Sequence, residues 1–194
     1  MRKLQRGDVK DIIEYERVRD AFRQHVIEVK RSRRVSVGPS VTLVFENRDT
    51  VLFQIEEMMR AERIVQEDKV QEEINIYNDL LPGRDELSAT LFIEITNKRR
   101  IKLVLDRMMG IDQGEKVWIE FGDERVAASF EQGRSNDEKI SAVHFVQFRF
   151  TPQQSRRFRS GEDAAMLVVR HNTYRHKTPI TDDVRKSLSK DLES

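Results

Sequence analysis

The sequence predicts an α+β fold, an antiparallel sheet packed against helices with the helices gathered in the first third. Apolar residues recur at helical spacing ahead of Pro82, and period-two alternation dominates after Leu87. Gly122-Asp123 joins two alternating runs as a tight hairpin. No repeat, low-complexity linker or composition break divides the 194 residues. Residues 1–194 therefore read as one domain, with 1–82 helix-rich and 83–194 mainly sheet with short helices.

Asp8 is a candidate cap for a helical segment reaching Arg34, in which Val18, Phe22, Val26 and Val29 share a face; a break near Asp11 would make it two helices. Gly38-Pro39-Ser40 then separates two short extended pieces between Val35 and Glu46. Asn47 to Thr50 should open a second helix running to about Asp68, on the recurrence of Val51, Ile55, Met58 and Met59. A shorter helix over 69–79 ends at Pro82-Gly83. Leu87 to Ile95 is a strand, Asn97 caps a helix closed by Gly110, and 117–121 with 126–130 form the hairpin. A polar loop over 131–138 leads to a strand over 140–150. Thr151-Pro152 starts a short helix, 165–170 is a strand, and Thr181 caps a final amphipathic helix. Trp118, out of phase with Val117 and Ile119, belongs on the outer sheet face under a helix or the second subunit of a homo-oligomer.

Composition narrows the chemistry. The chain has 35 Lys and Arg against 34 Asp and Glu, a net charge of +1, which argues against a polyelectrolyte binder of nucleic acid or membrane. With no cysteine, thiolate catalysis, disulfides and Cys-ligated clusters are excluded within the chain, so a metal would need His, Asp or Glu. No apolar run approaches ~18 residues, and the reading is cytoplasmic. Phosphate-loop, nucleophile-elbow and HExxH patterns are absent.

Two polar residues stand on apolar faces. With Val51 at zero on a helical wheel, Ile55 falls at about 40°, Met58 at about −20°, Met59 at about 80° and Val65 at about −40°, while Glu62 sits amid them at about 20°. Glu62 reads either as half of a buried pair with Arg48, Arg60 or Arg63, or as a ligand-binding or acid/base group. His144 shares a strand face with Ala142, Val146, Phe148 and Phe150, and reads as a satisfied core histidine or as a ligand to metal or haem. The sharp expectation is that Glu62 and His144 face one another across the helix–sheet seam. His171 to His176 follows a strand end and reads as a solvated loop, its two histidines, five apart, fitting no single face, and the basic runs 31–34 and 156–159 read as solvated surface.

The runs Leu43-Val-Phe-Glu-Asn-Arg-Asp-Thr-Val51, Gln54-Ile-Glu-Glu-Met58, Glu62-Arg63-Ile64, Leu87-Ser-Ala-Thr-Leu-Phe-Ile-Glu94 and Val143-His-Phe145 resemble a bacterial domain-of-unknown-function family of about this length. That family is often encoded beside rubrerythrin and a heterodisulfide-reductase-like iron–sulfur protein. The resemblance implies a cytosolic role near redox or peroxide metabolism and a redox-protein partner, and it assigns no catalytic residue. At His171-Asn-Thr-Tyr174 the chain departs from the His-Pro-x-Tyr pattern of relatives. The strongest block of the resemblance carries the polar and charged residues Glu46, Asn47, Arg48, Asp49, Glu56, Arg60, Glu62 and Arg63, and with His144 these form the candidate partner- or ligand-binding patch. The leading expectation is a non-catalytic binding or accessory protein with no cofactor assigned. The alternatives are a metal- or haem-dependent redox enzyme using His144 with Glu56 or Glu62, and a nucleic-acid binder.

Overall fold

The computed structural model describes residues 1–95, 97–131 and 140–193. A single 3-10 turn, Arg6–Asp8, precedes α1 (Ile12–Arg31), whose cap is Asp11 rather than Asp8: Asp11 Oδ1 accepts the Glu14 N–H at 2.8 Å. Strands β1 (Arg34–Val37) and β2 (Val41–Phe45) flank Gly38, which turns with φ +71°. Helix α2 (Arg48–Glu62) starts at Asn47, where Asn47 and Thr50 each satisfy the other's backbone N–H. It stops at Arg63, which is left-handed at φ 54°, and α3 (Glu67–Asn78) is a separate helix. The expected continuation to Asp68 is thus cut short, and Val65 lies outside the helix, 70% exposed.

The remaining elements are β3 (Glu86–Ile93), a 3-10 turn (Lys98–Arg100) leading into α4 (Ile101–Arg107), the hairpin β4 (Val117–Phe121) and β5 (Glu124–Phe130), and β6 (Val143–Arg149). Then come α5 (Pro152–Ser160), β7 (Ala165–His171), β8 (Tyr174–Pro179) and α6 (Asp182–Asp191). The polar loop expected over 131–138 falls almost wholly outside the described residues. Strand β8 corrects the reading of 171–176 as a loop: His171 pairs with Tyr174, and β8 returns antiparallel along β7. Its Tyr-Arg-His-Lys-Thr-Pro sequence lacks the apolar alternation that marks the other strands.

All pairings are antiparallel, in the order β1-β2-β3-β6-β5-β4-β7-β8. The sheet curls until its first and last strands lie side by side, a nearly closed barrel laced by the Tyr174 hydroxyl, which donates to the Val37 carbonyl. One face of every strand contributes to a single core, from Val35 and Leu43 through Leu91, Val146, Ala128, Ile119 and Leu167 to Tyr174. Phe158 of α5 and Val184 and Leu188 of α6 extend it at one end, Met108 and Ile111 at the other.

A second core lies outside the barrel, where Val51, Ile55 and Met59 of α2 meet Val70 and Ile74 of α3 and pack with Phe145. Helix α1 lies against α2, completing a helical layer over the β1-β2-β3 side. Strand β2 is buried at all five positions because it has barrel core on one face and helices on the other. Trp118 does lie on the outer face and is 6% exposed, but its cover is not a helix. The Arg125 guanidinium stacks 3.8 Å from the ring centre, Arg170 approaches at 5.8 Å, and the indole N–H donates to Glu120 at 3.1 Å. Among the described residues no helix is long and apolar enough to cross a membrane.

Candidate functional site

Glu46 leaves the end of β2 toward α2 and is 2% exposed. Its two carboxylate oxygens accept the hydroxyls of Thr50 on α2 and Thr90 on β3, both at 2.5 Å. Its backbone N–H donates to Ser88 O at 2.8 Å and its carbonyl accepts from Arg33 at 2.9 Å. Arg33, also 2% exposed, reaches the Phe45 carbonyl, Ser187 and Asp191, so one buried guanidinium ties α6 to the β2–α2 junction.

Glu56, 1% exposed, is the carboxylate that α2 does bury. Its Oε1 accepts the Lys10 N–H at 3.1 Å, with Lys10 Nζ at 3.9 Å, and its Oε2 is buried without a hydrogen bond. Burial pushes its pKa up, against the pull of the Lys10 N–H and charge. Arg48 Nη2 lies 2.6 Å from Asp8 Oδ1, off the angle of a good hydrogen bond. The Gln5 backbone N–H and Arg48 hold Asp8 down at about 2. Asp49 meets His25 at 2.9 Å, and Arg60 meets Glu16 at 2.6 Å, both ties from α2 to α1. Beside them Glu57 accepts a fork from Arg19 and the Tyr15 hydroxyl, and Arg19 chiefly depresses its pKa.

Glu62 and His144 are not brought together. Glu62 and Arg63 are exposed at the end of α2, on the outer side of the sheet. His144, 1% exposed, points into the barrel with Val146 and Phe148, paired across from Leu91. Its Nε2 lies 2.9 Å from Ser141 O, which requires the Nε2–H tautomer, and the Phe130 ring meets it edge-on at 5.6 Å. The sheet itself separates the two residues. Among the described residues no three His, Asp or Glu side chains converge as metal ligands would. His171 is buried, with Nε2 2.8 Å from Met109 O, while His176 is exposed on β8. The basic runs are largely paired: Arg31 with Glu28, Arg34 with Glu94, Arg157 with Asp123 and Asp163, and Arg159 with Glu193.

These charges have a common consequence. They lock α1 and α2 to each other and to the sheet, and α2 in turn seats α3, which overhangs β6 and β5. Beneath α3 lies a groove of 660 Å³, within the usual range for binding pockets of about 300–1,000 Å³. Ile76, Tyr77, Leu80, Phe130 and Phe145 supply its apolar surface. Glu73, Asp79 and Glu131 set acids around it against Arg149, whose guanidinium faces Glu86 at 3.1 Å. Ile76 at its rim is 62% exposed. The sequence pattern did carry a signal for this place: Phe145 alternates with inward His144, and a strand apolar on both faces needs cover on both.

A family described as "Protein of unknown function (DUF3501)" matches residues 3–192. Among solved structures the chain is similar to a novel protein of unknown function from Burkholderia pseudomallei K96243, with 33% identity and a TM-score of 0.91 over 98% of this chain and 100% of that one. Among curated proteins there is no match. On a match that runs nearly from end to end, the chain belongs to the DUF3501 family.

Proposed function

We propose that this protein is a non-catalytic binding or accessory protein and that its partner docks in the groove beneath α3. The groove is the observation that carries the reading: an apolar surface with an acidic rim, walled by a helix seated on α2 by apolar packing. Glu46, Asn47, Arg48, Asp49, Glu56 and Arg60 then serve binding at one remove, as positioning residues for the helical layer. The complementary partner presents apolar side chains among basic ones. The proposal extends to its identity as a redox protein, rubrerythrin-like or iron–sulfur, which rests on the company kept by the family that the sequence resembles.

The test is retention of a partner by tagged protein expressed in its native cells. Ile76→Lys alters the groove at a position too exposed to matter for stability, and Ile13→Lys, at a site 70% exposed on α1, controls for added charge. A partner held by the wild type and by Ile13→Lys, and lost at least roughly tenfold by Ile76→Lys, is the expected result. A partner held equally by all three overturns the groove as the docking site.

A further inference from the structure

We infer that the protein carries a second, separate binding site, for a small phosphorylated metabolite, in the cleft at the seam where the barrel stays unclosed. Strands β1 and β8 stand at opposite ends of the hydrogen-bonded order, so side chains must fill the space between them. At one end of the seam Tyr174 does this, its hydroxyl accepting the Ser40 N–H at 3.0 Å while its ring lies 4.5 Å from that of His176. The wall leaves no slack: a Cβ on Gly38, already at φ +71°, would come within 2.5 Å of His176 Cγ. Helix α4 and the turn before it form the opposite wall. Between them is a pocket of 410 Å³, large enough for a small ligand.

The charge in that pocket points to an anion. Arg100 and Arg107 line it, are solvent-accessible, and have no ion-pair or side-chain hydrogen-bond partner among the described residues. Glu94, the acid of the lining, is already held by Arg34 and by the Thr42 hydroxyl at 3.0 Å. Two guanidinium forks with no internal acceptor suit the several oxygens of a phosphate better than a single carboxylate. Ile95 and Val104, both partly exposed, offer apolar surface to the rest of the molecule, which favours an organic phosphate over the inorganic ion. The site is concave and local, and a net charge of +1 gives no field for a long polyanion.

The experiment is an NMR titration of the whole chain at low ionic strength with AMP, glucose 6-phosphate, and their uncharged counterparts adenosine and glucose. At least one phosphorylated probe should bind with a dissociation constant under about 1 mM, shifting amides in 38–40, 97–108 and 173–176. Arg100→Gln and Arg107→Gln should each weaken it roughly tenfold, the worth of a charged hydrogen bond. Arg156→Gln, an exposed arginine on α5, should leave it unchanged, as should Ile76→Lys in the groove. The uncharged counterparts should bind at least roughly tenfold more weakly. If neither phosphorylated probe moves those amides, or Arg156→Gln weakens binding as much as Arg107→Gln, there is no such site.

Discussion

At Glu56, burial and charge pull in opposite directions, and the result is readable in stability against pH. Its folded-state pKa is raised by burial above the ordinary value, so the native state holds the proton more readily than the unfolded chain. Its contribution therefore falls as pH rises from the ordinary carboxylate range through the raised value. Glu56→Gln should then be more stable than the wild type at pH 7, by roughly 1 kcal/mol, because it removes a buried charge with one unsatisfied oxygen. The advantage should shrink as pH falls from the raised value into the ordinary carboxylate range, which denaturant midpoints from pH 7 to pH 4 would show. A variant less stable by the same margin at every pH contradicts the argument. Asp8 runs the other way: held at about 2, it stabilises above the ordinary aspartate range and loses that effect as pH falls toward 2. Glu62 drew attention in the sequence because a helical wheel assumes that the helix continues. The stop at Arg63 was illegible, since an arginine holds the left-handed position that glycine would have announced.

Among the elements, those with local chemistry at their ends were the legible ones. Thr151-Pro152 builds the expected cap of α5, with Gln154 reaching back to the Thr151 N–H, and Gly122-Asp123 turns the expected hairpin. Asn47 at the start of α2 matters most for the proposed function, because α2 carries the seat of α3. Asn47→Ala removes the acceptor of the Thr50 N–H and should lower stability by about 1 kcal/mol, measured as a shift in urea midpoint at constant slope. An unchanged midpoint would mean that the cap is not what holds this end of the helix. Strand β8 was missed for the opposite reason: its place is set by pairing with β7 and by the Tyr174 hydroxyl across the seam, neither of which leaves a pattern in the segment itself.

For the molecule as a whole, alternation revealed which residues share a face but not that the sheet curls shut. Closure depends on Tyr174 meeting Val37, 137 positions away. The same gap explains the misjudged pairing of Glu62 with His144. Each residue stood on an apolar face, and only the closed barrel distinguishes the face turned inward from the face turned to the helices. The acid that does lie in the helix–sheet seam is Glu46, held there by Thr50 and Thr90. The architecture that follows is a barrel with a helical layer on one side, and the step at the edge of that layer is the groove.

The most direct test of that groove places a photocrosslinking amino acid at position 76 in one version of the protein and at position 13 in another, each expressed in native cells. Docking beneath α3 predicts one discrete protein adduct from position 76 and none from position 13. Adducts of equal yield from both positions, or from position 13 alone, would contradict it.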